Sequence, residues 1–187
     1  MGDYFRHQLT DYVEYHRDPR NGLMHVFGII ALFLAAVLPL SQWPVPAFGA
    51  PVTVATIAVV PVLIYWLLLD VAIGTAILGA AIVLLVAAAT IVALASAPVV
   101  WSLTAALIVL GVTFQVVGHR VFERRQPALM DNPTHLLLGP MFVMAKLFVA
   151  FGFRRDLARI IEPVPQQALR GSAGYSAEHQ GKPLPHS

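Results

Sequence analysis

Four histidines, widely separated along the chain, are the side chains best suited to chemistry. His16 and His25 lie nine residues apart across a turn that contains a proline, whereas His119 and His135 come far later in the sequence. The chain has no cysteine, which excludes thiolate metal sites and cysteine nucleophiles. Imidazole ligands with nearby carboxylates suit Fe(II), Zn(II) or Cu(II), and open coordination positions on iron would suit chemistry with O2. The spacing alone does not choose among these metals.

A carboxylate accompanies one of these histidines at helical spacing. Glu123 follows His119 by four residues, so on a helix the two side chains share one face. The carboxylate could ligate the same ion or orient the imidazole, and a simple surface pair at the end of a helix fits the spacing as well. His135 follows a proline and a threonine, so we expect it in the first turn of the last apolar segment.

Basic side chains stand close to these histidines in the sequence. Lys146 lies within an apolar stretch, so it is expected to extend to the membrane interface or to pair with Glu123 or Asp131. Three arginines could hold an anionic head group, although contact with lipid phosphates would explain each of them equally well: Arg17, Arg20 and Arg120.

Composition determines which elements must position these residues. Hydrophobic residues make up 58% of the 187-residue chain and charged residues only 12%, whereas soluble domains carry about 25% charged residues. Between residues 22 and 119 Asp70 is the one formal charge. Such a chain requires the bilayer as its solvent, and we predict an all-α integral membrane bundle of about four transmembrane helices. The net charge of +2 gives no indication of nucleic-acid binding.

The apolar stretches predict spans over residues 23–40, 52–69, 71–95 and 99–119, with the last helix continuing to Arg125. Residues 3–16 have the pattern of an amphipathic interfacial helix, Asn21 is the predicted N-cap of the first span, and residues 41–50 form a charge-free loop. These elements constitute a single membrane domain over residues 1–160. The tail, residues 161–187, is rich in Pro, Gly, Ser and Gln and is predicted to be disordered.

Loop charges predict the orientation of the bundle. Arginines occur before the first span and in residues 120–125, whereas the loops at 41–50 and 96–98 carry none, so the N-terminus is expected on the cytoplasmic side. A fifth apolar stretch, residues 136–153, precedes three more arginines. We therefore predict a re-entrant or interfacial segment that begins near Pro140. In this topology all four histidines lie near the cytoplasmic surface, and they meet if the first and fourth spans pack together.

Two segments resemble the signatures of the Mpo1-like family. The first, residues 15–28, reads YHRDPRNGLMHVFG, and the second, residues 115–132, reads QVVGHRVFERRQPALMDN and continues as GPMFV at residues 139–143. The resemblance extends in order over roughly residues 1–155, and two separate motifs of many residues make it specific.

The resemblance implies an Fe(II)-dependent membrane dioxygenase that uses O2 to shorten 2-hydroxy fatty acids by one carbon. Carried over by position, His16, His25 and His119 match the motif histidines and would ligate the iron. His135 is a candidate fourth ligand, and it stands where a glutamine is usual in the family. Glu123 and Asp131 would orient ligands or move protons. The residues assigned to substrate binding are Arg17, Arg20, Asn21, Arg120, Asn132 and Lys146.

The resemblance leaves two other classes of function to weigh. Another lipid-modifying metalloenzyme, of the hydroxylase or desaturase type, would usually carry dense HxxxH or HxxHH clusters, and the sequence has none. A small transporter or scaffold would place polar residues at mid-span, where only neutral groups such as threonines are available. The alanine-rich composition is typical of bacterial proteins, so we expect a bacterial inner membrane protein, surrounded by lipid, with its metal site on the cytoplasmic side.

Overall fold

The fold is taken from a computed structural model of the chain, which describes residues 2–47, 50–124 and 134–162. The predicted site residues Asp131 and Asn132, and the tail from residue 163, lie outside these ranges. In chain order the elements are α1 Asp3–Glu14, α2 Pro19–Leu40, β1 Pro44–Ala47, β2 Ala50–Thr53, α3 Val54–Leu69, α4 Val71–Leu94, α5 Ala97–Val117, a π-helix Gly118–Glu123, α6 His135–Ala150 and α7 Arg155–Ile161.

The prediction of an all-α membrane-type bundle is confirmed. Three helices are long and apolar enough to cross a bilayer, namely α2, α4 and α5 continued by the π-helix, while α3 has 16 residues. Helices α6 and α7 form a pair bent by 118°, as in a broken span or a re-entrant segment. This segment begins at His135 and contains Pro140 within α6, so the predicted start near Pro140 was wrong.

The start of α2 is fixed by a capping carboxylate rather than by the predicted amide. Asp18 is the N-cap, and its side chain accepts a hydrogen bond from the Arg20 N–H at 2.8 Å. Pro19 follows in the first turn, where its missing N–H costs nothing. Asn21 therefore lies inside the helix and is fully buried, so its assignment as the N-cap was wrong.

The segment between α2 and α3, predicted as a loop, contains a short antiparallel hairpin. Strands β1 and β2 pair in a register that places Pro44 opposite Thr53 and Val45 opposite Val52. Pairing satisfies backbone groups that a simple loop near the membrane would leave exposed. Thr53 then caps α3 with its side chain.

Helices α2 and α5, the first and fourth predicted spans, pack together. Glycines allow this close approach, since a Cβ added at Gly28 would lie 3.2 Å from the Gly111 carbonyl oxygen. One added at Gly111 would lie 2.6 Å from Leu32 Cγ and 3.1 Å from the Gly28 carbonyl oxygen. The crossing sets the distance between the helices that carry His25 and His119.

Helix α1 is amphipathic as predicted, and its apolar face is covered by protein. Phe5, Leu9 and Tyr12 are buried in a cluster with residues of α6 and α7, including Phe142 and Leu157. The helix thereby closes the bundle end at which His16 lies.

Candidate metal centre

Three of the predicted histidines converge on one buried site. His16 lies just after α1, His25 in the second turn of α2, and His119 in the π-helix, and each side chain is almost fully buried. One ligand nitrogen from each of the three lies within 4.8 Å of the other two. We call this group the histidine triad. It is formed only because the turn before α2 and the α2–α5 crossing bring three distant segments together.

The π-helix changes the direction in which α5 presents its last residues. The wider turn over residues 118–123 shifts the angular position of side chains relative to a regular helix, and such turns occur frequently at functional sites. Gly118 begins it, and a Cβ there would overlap the Asn21 side-chain oxygen. The helix ends at Arg124, whose φ of 54° is left-handed.

Hydrogen bonds define which ring nitrogens of the triad are free to bind an ion. His16 Nδ1 lies 2.7 Å from the Tyr12 carbonyl oxygen, and His25 Nδ1 lies 3.1 Å from the Asn21 carbonyl oxygen. Because a carbonyl oxygen only accepts, both Nδ1 atoms carry the proton in the neutral rings. The two Nε2 atoms, 2.9 Å apart, then direct lone pairs toward each other.

This arrangement fits a divalent cation. Two facing lone pairs repel unless a positive charge lies between them, and His119 Nδ1 is buried with no hydrogen-bond partner in the described chain. Donation of the other imidazole nitrogen to a backbone carbonyl is the usual way proteins orient metal-binding histidines. Neutral imidazoles suit Fe, Zn, Cu and Ni, so the ligand set alone does not select iron.

Burial keeps the His16 ring neutral. Burial, together with the neighbouring His25, lowers the pKa of the His16 imidazole to about 2. The Tyr12 ring stacks on His16, with ring centroids 4.0 Å apart and planes 6° from parallel. A neutral imidazole is the form that binds metal, so His16 is available to an ion without first losing a proton.

Glu123 connects the ends of the two helices that carry the triad. Its Oε1 accepts hydrogen bonds from the Asp18 backbone N–H at 2.8 Å and from Asn21 Nδ2 at 3.0 Å. The carboxylate thus ties the π-helix to the first turn of α2. Glu123 therefore links the helix that carries His119 to the helix that carries His25, with Asn21 as its partner.

His135 lies near the triad but outside it. The Tyr12 ring separates them, at 4.0 Å from the His16 ring and 5.3 Å from the His135 ring. His135 is buried, and its Nε2 is 3.2 Å from the Asp11 carboxylate, without the geometry of a hydrogen bond. Its role as a fourth ligand stays a prediction.

Of the basic residues predicted to bind substrate, the three arginines are exposed, whereas Lys146 interacts electrostatically with His16 and His25 of the triad and with Glu123. Arg17 pairs with Glu14 on the surface, Arg20 lies over the Phe122 ring at 5.8 Å, and Arg120 is exposed. Lys146 Nζ lies 4.6 Å from the centre of the Phe142 ring. An added Cβ at Gly22 would lie 2.9 Å from that Nζ, which places the ammonium group beside the start of α2.

An elongated cavity of about 550 Å³ leads away from the triad. Its lining follows α2 from His25 to Leu40, which corresponds to about 22 Å at the helical rise. His16, His119 and His135 also line it, so its polar groups lie mainly at one end. Within the described ranges its lining includes no arginine or lysine. The cavity is apolar over the rest of its length.

The protein family of this chain follows from a match to a family model. A family model described as 2-hydroxy-palmitic acid dioxygenase Mpo1-like matches residues 3–151. The chain belongs to the Mpo1-like family. The match covers every residue of the triad and most of the helical bundle of this Mpo1-like protein.

A curated relative supports the same family. The 2-hydroxy-palmitic acid dioxygenase MPO1 of Saccharomyces cerevisiae is 42% identical to this Mpo1-like chain over 65 residues. The aligned part covers 33% of the chain and 37% of the yeast protein, so it spans little more than a third of that relative. No solved structure matches the chain.

Two polar residues at the Mpo1-like site were not found by sequence reasoning. Tyr12 precedes His16 by four residues and stacks on it, and Gln115 precedes His119 by four residues and lines the cavity. In both cases the helical spacing of i and i+4 was visible in the sequence. Neither side chain is charged or a usual metal ligand, so residue type did not distinguish them from other helix residues.

Proposed function

We propose that this protein is an iron-dependent membrane dioxygenase that shortens 2-hydroxy fatty acids by one carbon. The observation that carries the proposal is the placement of three buried neutral imidazoles, two with facing lone pairs, at the polar end of a long apolar cavity. The family relationship and the name of the yeast relative support the choice of substrate and reaction class.

The overall conversion balances with one O2. The C1–C2 bond of the 2-hydroxy acid breaks, C2 is oxidised from alcohol to carboxylic acid, C1 leaves as CO2, and the remaining oxygen atom leaves as water. The four electrons required to reduce O2 come from the substrate, so no external reductant is needed. Bound iron would supply the redox chemistry that joins O2 to the hydroxy acid.

Residues of the chain would bind the metal, orient its ligands and bind the substrate. His16, His25 and His119 would hold the iron, and the carbonyl oxygens of Tyr12 and Asn21 orient the first two rings. Glu123 maintains the spacing of the ligand-bearing helices through its two hydrogen bonds. The apolar cavity would bind the acyl chain and exclude water from the reacting end.

The other assigned residues stay part of the proposal. His135 lines the cavity, which supports the proposal that it completes the metal site or contacts the acid end of the substrate. The predicted proton-handling role of Asp131 and substrate contact of Asn132 fall on residues beyond the described ranges. Arg17, Arg20 and Arg120 are exposed and better placed to contact lipid head groups at the cytoplasmic surface of a bacterial inner membrane. Lys146, which interacts electrostatically with His16 and His25, keeps its predicted role in substrate binding.

The direct test is turnover by purified protein. Protein in detergent, loaded with Fe(II), is expected to convert 2-hydroxypalmitate to the acid one carbon shorter, with one O2 consumed per product. His25→Ala and His119→Ala should abolish turnover and iron binding, whereas His7→Ala, on the exposed face of α1, should preserve both.

Metal content separates the proposal from its rivals. One iron per chain is expected, and two would indicate a di-iron enzyme of the hydroxylase type. Absence of product from iron-loaded wild-type protein, or full activity in the His25 and His119 variants, would contradict the proposal.

A further inference from the structure

The cavity lies between two helices that both pack on α2. Its floor is α2, one wall is α3 with Ala58 and Val62, and the other is α5 with Val112 and Val116. Helix α6 covers the end next to the triad, where Pro140 lines the cavity. The cavity is therefore a cleft whose long axis follows the direction of the spans.

One long side of this cleft opens onto the outer surface of the bundle. Val112 and Val116 line the cleft and are nevertheless 47% and 44% exposed. Ala36 and Ala58, which line the floor and the opposite wall, are exposed as well. These four apolar residues lie on helix surfaces that face lipid in a membrane-spanning bundle.

The histidine end is closed by contrast. The triad and His135 are each no more than 3% exposed, and α1 packs over this end through contacts with α6 and α7. A ligand that approaches from water meets buried rings, whereas one that approaches from the acyl region of the bilayer meets an open apolar slot.

We propose that the cleft takes up a single acyl chain sideways from the membrane, through a mouth between α3 and α5, with the polar end of the lipid at the triad. The inference rests on the proposed function for the identity of the polar end, a 2-hydroxy acid. The acyl chain leaves one apolar environment for another and its head group stays at interface depth, so transfer exposes no hydrocarbon to water.

Trp66 provides a direct probe of occupancy. Its side chain is 3% exposed and lines the cleft, and its Nε1 donates to the Leu137 carbonyl oxygen at 2.7 Å. The other two tryptophans, Trp43 and Trp101, are about half exposed and can be replaced by Phe. Metal-free protein that keeps Trp66 as its one tryptophan is placed in bilayers. Its tryptophan fluorescence is expected to show saturable quenching by a 2-hydroxy fatty acid brominated at mid-chain. The unbrominated acid should reverse it.

A matched pair of substitutions on α3 controls this measurement. Ala58→Phe fills the cleft and should remove the saturable quenching of Trp66. Ile57→Phe changes the neighbouring residue, which is 49% exposed and does not line the cleft, and should leave quenching intact. Absence of saturable quenching in the Trp66 protein, or equal effects of the two substitutions, would overturn the proposal.

The route of entry is tested by bridging the mouth. Because the chain has no cysteine, Ala58→Cys with Val112→Cys introduces one reactive thiol on each wall. A cleavable bifunctional thiol reagent that is added before the brominated acid should block quenching. The same reagent added after the acid should trap the acid in the cleft. The single-cysteine proteins, treated alike, should bind and release normally. Unchanged uptake and release in the bridged protein would overturn lateral entry.

These outcomes are independent of catalysis. Quenching is measured without iron, so an occupied cleft in a protein that shows no turnover would contradict the proposed reaction and support the binding site. Turnover in a protein whose cleft stays unoccupied would support the proposed reaction and contradict the binding site.

Discussion

At the scale of single residues, the triad is defined by how each ring uses its two nitrogens. The backbone carbonyls of Tyr12 and Asn21 occupy Nδ1 of His16 and of His25, and the remaining Nε2 atoms lie 2.9 Å apart. Both carbonyls come from the residue four positions earlier, which helical geometry places beside the ring. Contacts within each helix or its end thus help to orient both ligands.

Tyr12 is predicted to position His16 through its ring rather than its hydroxyl. Tyr12→Ala removes the stacked ring and should weaken metal binding by about 10–100-fold, the usual range for residues that orient ligands. Tyr12→Phe keeps the ring and should retain wild-type affinity, as measured by competition with a chelator. Equal losses in both variants would instead assign the effect to the hydroxyl group.

Stability of the metal-free protein is predicted to fall in mild acid. The pKa of His16 is about 2 in the folded chain and 6.5 when unfolded, so below pH 6.5 the unfolded state binds the proton preferentially. The contribution of neutral His16 to the free energy of unfolding is complete above pH 6.5 and decreases as the pH falls toward 2. Between pH 7 and pH 5 the loss is about 2 kcal/mol.

Thermal unfolding in detergent with chelator checks this dependence. His16→Gln cannot take up the proton, so its midpoint should change less than that of wild type between pH 7 and pH 5. His7→Gln, at an exposed position of α1, should behave as wild type. A wild-type slope in the His16 variant would show that other groups cause the acid sensitivity.

At the scale of elements, the crossing of α2 and α5 determines whether His25 and His119 can meet. Gly28 and Gly111 face each other there, and both lie in apolar helices where a larger residue would otherwise be favoured. The spans themselves were predictable from apolar length. Their pairing was not, because a single sequence does not state which helix faces pack.

The two glycines are predicted to tolerate even alanine poorly. Gly28→Ala and Gly111→Ala each force the backbones apart and should destabilise the bundle by about 1–3 kcal/mol. Both should also weaken metal binding, since the ligand-bearing helices separate. Gly79→Ala in α4 has nothing within 4 Å of the new Cβ and should be neutral or stabilising by up to about 1 kcal/mol. Metal affinity and thermal unfolding of the three variants test this.

Other element boundaries illustrate where the sequence misled. Asn21 and Asp18 are both good N-cap residues, and Pro19 decides between them because it fits best directly after the cap. The π-helix could not be expected from hydropathy, since one extra residue per turn leaves composition unchanged. The arginines were judged by position in the sequence, whereas their side chains extend to the surface.

At the scale of the whole molecule, a charged contact joins the bent α6–α7 pair to the α3–α4 turn. The Arg154 guanidinium lies 2.9–3.1 Å from both oxygens of Asp70, which also caps α4 by accepting from the Ile73 N–H. Burial alone would raise the pKa of Asp70, but these hydrogen bonds outweigh it and hold that pKa below 3.8. The ion pair places Arg154 at the same end of the bundle as the α3–α4 turn.

Asp70→Asn is predicted to lower the free energy of unfolding by about 2 kcal/mol, because it removes the charge-assisted bonds to a mostly buried guanidinium. Asp156→Asn should cost less, since that carboxylate is about half exposed. In the wild type, the contribution of ionised Asp70 to the free energy of unfolding is complete above pH 3.8. It is lost as the pH falls through the lower pKa of Asp70 in the folded protein. Unfolding midpoints of wild type, Asp70→Asn, Arg154→Met and the double variant of these two measure the coupling, and Asp156→Asn serves as the control.

Helix α3 has a consequence for the surrounding bilayer. Its 16 residues rise about 24 Å, whereas a hydrocarbon core is about 30 Å thick. Lipids beside this helix must compress or bend to match it, and such hydrophobic mismatch stores elastic strain in the leaflet. That strain is localised along one wall of the cleft, where it lowers the energy needed for an acyl chain to leave its neighbours. Because α3 is shorter than the three helices that are long enough to cross a bilayer, the membrane would be thinnest beside this wall of the cleft.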